Sequence, residues 1–146
     1  MINLIKWIPP QSPYDLLQER YWPDGWKILI VCLLLNQTSS KQVEPMIESF
    51  FGKWPNPNSA AEADDEEMRE AIKCLGMYNR RVKTIKNMSK QYLEGFSQAK
   101  DLYGCGKYAD DAYKIFIKGE WKQVEPNDQA LNKYHDWLKE EKNVYA

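Results

Sequence analysis

The spacing of apolar residues constrains the fold of this chain more than any other feature. Apolar residues recur every three or four positions along nearly the whole sequence, whereas the alternating pattern of a half-buried strand is almost absent. The sequence therefore predicts an all-α fold. Its 146 residues contain no repeat and no long linker, which predicts one domain over residues 1–146.

Capping residues and prolines predict where the first helices begin. The run Ser-Pro-Tyr-Asp at 12–15 is typical of a helix start, and Asp24 predicts an N-cap for an apolar, central helix over 26–35. Pro45 predicts a late start or a kink in a helix over 41–51.

The second half of the chain shows further turn and stop signals. The stretch WPNPNS at 54–59 predicts a turn, and Ser59 with Glu62 predicts a capping box for the next helix. The same kinds of signal predict a helix ending at Gly76, a long helix ending before Gly95, a helix over 107–117 ended by Gly119, and a last helix from about Asn127 and Asp128.

The charge of the chain does not by itself indicate a nucleic-acid ligand. The formal net charge is −1, but residues 62–70 are acidic, and residues 73–90 contain six Lys and Arg residues without a carboxylate. This basic run predicts either a phosphate-facing surface or an ordinary solvated helix face.

The cysteines and apolar runs exclude several classes of protein. Cys32, Cys74 and Cys105 are odd in number and widely spaced, so we predict buried thiols, with neither a disulfide framework nor a zinc or iron–sulfur ligand set. No cofactor is expected. The longest apolar run, 28–35, is too short to span a membrane, and the N-terminal residues lack a signal peptide. We therefore expect an intracellular protein with no membrane association.

The motif with the most chemical content is LYGCGK at 102–107. Gly104 and Gly106 permit a tight hairpin between helices and let a phosphate approach the backbone, where amides at the start of the next helix point outward. The alternative is a plain helix–helix turn.

This pattern resembles the L-x-G-x-G hairpin of the helix-hairpin-helix DNA glycosylases, in which an essential aspartate follows the hairpin. Asp128 to Lys133 fits the accompanying D-x-x-[apolar]-x-[R/K] pattern. The resemblance narrows to the glycosylase domains of the methyl-CpG-binding-domain thymine glycosylases and covers nearly the whole chain. The matching segments are KWIPPQSPYDLLQE, DGWKILIVCLLLNQTS, CLGMYNRRVKTI, LYGCGKYADDAYKIF, EWKQVEPND and LNKYHDWL.

The resemblance implies roles for three residues at an active site. Asp128 is expected to be the catalytic carboxylate, although its residue type also fits a simple N-cap. Tyr108 occupies the position of a nucleophilic lysine in bifunctional relatives and cannot form a Schiff base, so no AP lyase activity is expected. Gln18, with Tyr108, is expected to bind the extruded base; the alternative is an exposed polar helix residue.

The resemblance also implies a DNA-binding surface. Gln37 matches the position that fills the gap left by a flipped base, where vertebrate relatives have arginine. Met77 matches a wedge position, or alternatively closes the core at a helix end. Ala130 replaces a lysine of the vertebrate relatives, which removes one cationic contact. The other expected contacts are the hairpin residues Gly104, Gly106 and Lys107 and the basic residues Arg80 and Arg81.

As a whole, the resemblance implies a compact helical bundle with an active-site cleft between two helical lobes. The implied function is a monofunctional, mismatch-specific DNA glycosylase that flips thymine or uracil opposite guanine and hydrolyses the N-glycosidic bond in base excision repair. The expected partner is double-stranded DNA with a mismatched or damaged pyrimidine, bound by a nuclear monomer without an iron–sulfur cluster. A monovalent cation at the hairpin is an open option. The alternatives are a catalytically silent DNA-binding module, or a glycosylase with another base preference, since Gln37 is shared with other branches.

Overall fold

The computed structural model describes residues 7–144, and every regular element in that range is helical. This confirms the all-α prediction. Residues 1–6, on which the signal-peptide prediction partly rests, lie outside the described residues. The α-helices are α1 (Leu17–Tyr21), α2 (Gly25–Leu35), α3 (Ser40–Lys53), α4 (Pro57–Ala61), α5 (Asp65–Ile72), α6 (Tyr78–Glu94), α7 (Lys107–Tyr113) and α8 (Gln129–Val144).

Helix α2 is the centre of the fold. Its N-cap is Asp24, whose side chain accepts a hydrogen bond from the Lys27 amide at 3.0 Å, as predicted. Every residue from Gly25 to Leu34 except Lys27 is buried, and the helix contacts α1, α3, α6 and α7. The other helices of the core therefore pack around α2.

Two groups of helices flank α2. Helices α4 and α5 pack on α6, and α3 contacts α5, which forms the α3–α6 lobe. On the other side, α7 continues into a π-helical segment, Lys114–Lys118, whose Phe116 ring packs on Tyr134 of α8. We call this second group the α7–α8 lobe.

Between residues 7 and 144, no helix is both long enough and apolar enough to cross a bilayer.

The predicted start of the first helix is wrong. Helix α1 begins at Leu17, because the segment before it folds back on the helix instead of joining it. The amide and hydroxyl of Ser12 both donate to the Glu19 carboxylate, at 2.7 Å each. Asp15 has a φ of 50°, which is outside the right-handed helical region. Ser12 therefore closes a loop onto α1 rather than capping it.

Three other local predictions need correction. Residues 54–59 are not only a turn: Asn56 caps the short helix α4, so Ser59 lies inside a helix, and Asp64 caps α5. Helix α3 does not start late, because a Ser39–Gln42 capping box begins it ahead of Pro45, and of the two predicted alternatives only a kink remains. Cys32 and Cys105 are buried, but Cys74 is exposed, since it lies in the 3₁₀ turn Lys73–Leu75 that follows α5.

Candidate active site and nucleic-acid interface

A cleft of about 430 Å³ opens where the end of α2 meets the start of α7 and the residue before α8. It is lined by the four residues that the sequence analysis predicts for base binding, catalysis and gap filling: Gln18, Gln37, Tyr108 and Asp128. Ala130, at the position where vertebrate relatives have lysine, also lies on its wall. Residues far apart in sequence thus meet at one site.

Gln18 is buried at the base of this cleft, with 2% of its surface exposed, so it is not an exposed polar helix residue. Its amide nitrogen donates to the Tyr108 hydroxyl at 2.5 Å and lies 3.6 Å from the Cys32 sulfur. Because both amide protons have acceptors in the protein, the carbonyl oxygen is the part of Gln18 available to a ligand.

Tyr108 and Cys32 are both uncharged at neutral pH. Burial raises the pKa of Tyr108 well above its ordinary value, and the neighbouring Cys32 and Asp128 raise it further. Burial likewise raises the pKa of Cys32 from 9.0 to about 12. A buried neutral thiol is a poor nucleophile, so Cys32 contributes packing and a weak acceptor rather than covalent chemistry.

Asp128 combines the two roles that the sequence left open. It caps α8, since its Oδ2 accepts from the Leu131 amide at 3.0 Å, and it lines the cleft. The amides at the start of a helix stabilise a nearby anion. Its second carboxylate oxygen accepts no hydrogen bond from any residue between 7 and 144, which leaves one lone-pair-bearing oxygen for a substrate or water.

A smaller cavity of about 110 Å³ adjoins the cleft and shares Asn36 and Gln37 with it. Met77 lies on its wall with 42% of its surface exposed, so it does not close the core. Gln37 and Met77 have φ values of 62° and 46°, in the left-handed region that few side chains adopt. Both predicted DNA-contacting residues are thus presented on strained backbone.

The hairpin places Gly104 and Gly106 in different environments. Gly104 has a φ of 75°, and a Cβ there would lie 2.2 Å from the Thr84 Cγ2 atom. Gly106 precedes α7, and a Cβ there would meet nothing within 4 Å. The protein's own packing explains Gly104, whereas the space beside Gly106 is open to an approaching ligand.

One predicted cationic contact differs from expectation, and a second has partners within the protein. Arg81 is 6% exposed and donates to backbone carbonyls, including those of Gly76 and Asn36, which corrects its prediction as a surface DNA contact. Its side chain reaches back to the end of α2 instead of pointing outward. Lys107 donates to Asp111 at 2.6 Å and to the Glu125 carbonyl, so its charge is partly neutralised. Arg80 is exposed beside the smaller cavity.

Three residues that line the large cleft were not predicted from the sequence. Tyr14, Asp15 and Glu44 line it, and Arg20 forms ion pairs with the two acids, at 2.8 and 3.5 Å respectively. The tolerance of aspartate for left-handed backbone was the one available signal for Asp15. Glu44 had no signal, because its position depends on how α3 meets α1.

Comparisons with known proteins agree with this architecture. The family model of the HhH-GPD superfamily base excision DNA repair proteins matches residues 30–142. The chain is 45% identical over 134 residues to the methyl-CpG-binding domain protein 4-like protein of Arabidopsis thaliana, covering 91% of this chain and 30% of that protein. It is 32% identical over 114 residues to the thymine-DNA glycosylase of Aeropyrum pernix, covering 73% of this chain and 51% of that protein.

A solved structure shows the same fold. The structure of a thermostable thymine-DNA glycosylase superimposes with a TM-score of 0.66 at 21% identity, covering 85% of this chain and 70% of that one. The chain spans between 30% and 51% of the length of these two curated relatives.

Proposed function

Because the chain belongs to the HhH-GPD superfamily of base excision DNA repair proteins, we propose that it is a monofunctional DNA glycosylase that removes thymine or uracil opposite guanine. The observation that carries this proposal is the convergence of Gln18, Tyr108 and Asp128 on one cleft. Relatives named as a thymine-DNA glycosylase and a thymine/uracil-DNA glycosylase support the choice of base. The proposal includes action as a monomer on nuclear DNA.

Gln18 and Tyr108 suit the pairing edge of thymine or uracil. The Gln18 carbonyl oxygen accepts a hydrogen bond from the N3–H of either base. Tyr108, whose hydroxyl oxygen accepts from Gln18, donates its own proton to a base carbonyl. Cytosine presents an acceptor at N3, and a buried carbonyl left facing it costs about 1–3 kcal/mol. This cost disfavours cytosine in the pocket.

Asp128 supplies the charge that the reaction needs. As the N-glycosidic bond breaks, its electron pair leaves with the base and positive charge develops at C1′ of the sugar, which the ionised carboxylate stabilises. The same carboxylate accepts a proton from the water that attacks C1′ and then releases it to solvent, while the departing base anion takes up a proton from solvent. The products are a free base and an abasic deoxyribose.

Tyr108 explains why we expect the strand to remain intact. Cleavage by β-elimination requires an amine that attacks C1′ and forms a Schiff base, and the phenol at this position cannot do so. Its raised pKa also keeps it protonated as a hydrogen-bond donor. The enzyme is therefore expected to stop at the abasic site.

Base extrusion needs a group to replace the flipped nucleotide. A base in a G·T or G·U wobble pair costs less to extrude than one in a Watson–Crick pair. We propose that Gln37 enters the gap and that Met77 presses on the opposite strand, since both line the smaller cavity beside the active-site cleft. The hairpin amides beside Gly106 then contact the strand backbone.

The test is incubation with end-labelled G·T and G·U duplexes, followed by hot alkali. We expect strand breaks only after alkali. Asp128→Asn should abolish base release while the fold is kept, because asparagine caps helices as well as aspartate. Asp136→Asn, at an exposed acid on the same helix, is the matched control and should behave as wild type.

Other outcomes identify the alternatives. Binding without breaks, even at high protein concentration, would indicate a silent DNA-binding module. Breaks without alkali would contradict the argument from Tyr108. Release of another base from a panel of mismatched duplexes, with G·T and G·U left intact, would indicate a different base preference.

A further inference from the structure

Arg81 is the most deeply buried charged group beside the two cavities. Its Nε donates to the Gly76 carbonyl at 2.9 Å and its Nη2 to the Asn36 carbonyl at 3.0 Å. Its Nη1 lies 3.3 Å from the Leu33 carbonyl. The side chain therefore joins the end of α2 to the turn that precedes α6.

These contacts involve the two strained positions described above. The carbonyl of Asn36 immediately precedes Gln37, and the carbonyl of Gly76 immediately precedes Met77. The backbone amide of Arg81 also donates to the Met77 carbonyl at 2.9 Å. A left-handed conformation in a residue with a side chain persists only where the surroundings hold it. Arg81 contacts the backbone at both places.

Only an arginine can make this set of contacts. Its planar guanidinium presents five N–H donors in a fixed arrangement, whereas a lysine ammonium is one compact point. No carboxylate among residues 7–144 forms an ion pair with Arg81, and burial lowers its pKa from the ordinary value. The carbonyls and the negative end of the α2 dipole compensate for the buried charge.

We propose that Arg81 is a positioning residue: it holds the backbone at Gln37 and Met77 in the conformation from which both side chains enter duplex DNA together. The inference rests on the proposed function, because it assumes that these two residues replace an extruded nucleotide. Arg81 itself contacts only the protein. It holds the backbone of the gap-filling residue and of the wedge residue in fixed positions relative to each other before DNA binds.

Insertion can be measured without catalysis. The probe is a duplex in which a tetrahydrofuran abasic analogue lies opposite guanine, with 2-aminopurine as the neighbouring base, whose fluorescence reports insertion. We expect Arg81→Lys to weaken the fluorescence-detected binding about tenfold or more, since it releases two strained segments. Arg69→Lys, at an exposed ion pair on α5, is the matched control and should bind as wild type.

A mutant cycle separates positioning from a general effect on stability. In a Gln37→Ala/Met77→Ala background there is nothing left to position, so adding Arg81→Lys should cost less than about twofold. An equal loss of binding in both backgrounds would overturn the inference. If Arg81→Lys alone fails to fold, Gln37→Asn/Met77→Asn should restore folding, because asparagine adopts left-handed backbone more readily. No restoration would also overturn it.

The two hypotheses fail in different ways. Wild-type protein that inserts into the abasic-analogue duplex but releases no base contradicts the proposed function alone. Wild-type protein that releases thymine or uracil, while Arg81→Lys inserts as well as wild type, contradicts the role of Arg81 alone.

Discussion

Replacing Gly104 by alanine tests whether the hairpin is held by the packing of the protein itself. A Cβ at this position would lie 2.2 Å from the Thr84 methyl carbon, where ordinary contacts begin at about 3.4 Å. An alanine at positive φ costs about 1–2 kcal/mol, and overpacking costs about 1–3 kcal/mol more. Gly104→Ala should therefore destabilise the fold by about 3 kcal/mol, which lowers the Tm by roughly 10 °C.

Gly106→Ala is the matched variant, because it adds the same methyl group two residues away. Nothing lies within 4 Å of that Cβ, and the φ of −116° suits alanine. Its stability should stay within about 1 kcal/mol of wild type. If a DNA phosphate approaches the backbone here, the methyl group should weaken DNA binding while leaving the Tm nearly unchanged.

Thermal unfolding by circular dichroism and titration of a labelled G·T duplex measure the two effects separately. A Gly104→Ala protein that melts within about 2 °C of wild type would refute the packing argument, because even 1 kcal/mol shifts the Tm by more than that. A Gly106→Ala protein that binds DNA with full affinity would refute the close approach of phosphate.

Three further measurements follow from the site. Ala130→Lys should restore a cationic contact in the cleft and steepen the dependence of log K on log salt by about 0.9. In native protein only Cys74 should react with a thiol reagent, since Cys32 and Cys105 are buried; full labelling before unfolding would contradict this. The pKa of Cys32 is raised from 9.0 to about 12, so the neutral thiol contributes to the free energy of unfolding. This contribution is fully present below pH 9 and is lost as the pH rises toward 12. Urea unfolding should therefore show that the free energy of unfolding falls less between pH 8 and pH 10 for Cys32→Ala than for wild type. The expected difference is up to about 1.4 kcal/mol per pH unit.

Local signals predicted the helix boundaries well where the deciding contact is itself local. Asp24 caps α2 through an amide three residues away, and Gly95 ends α6 with a φ of 101°. The start of α1 was not predictable in this way, because Ser12 bonds to Glu19 across a turn of chain that no helix rule describes. Ser12 is of a residue type that is typical of a helix cap, but here it holds a loop against α1.

The candidate site was predictable as a set of residues but not as a geometry. The motif around Asp128 and the hairpin glycines can be read in the sequence, whereas the contact between Gln18 and Tyr108 joins residues 90 positions apart. Arg81 shows the same limit, since its place in a basic run indicates a surface and only the meeting of α2 with α6 buries it. Tertiary packing decided both cases.

If the proposed function is right, the binding of DNA should depend only weakly on salt. Of the three predicted cationic contacts, Arg81 is buried and Lys107 pairs with Asp111, while Arg80 is exposed beside the smaller cavity and forms no ion pair with a residue between 7 and 144. Backbone amides contact phosphate without contributing a full positive charge. Each neutralised phosphate contributes about −0.9 to the slope of log K against log salt, so we expect a slope shallower than about −4. A slope near −6 or steeper, measured by titration between 50 and 200 mM salt, would mean that basic residues of α6 other than Arg80 also bind the DNA.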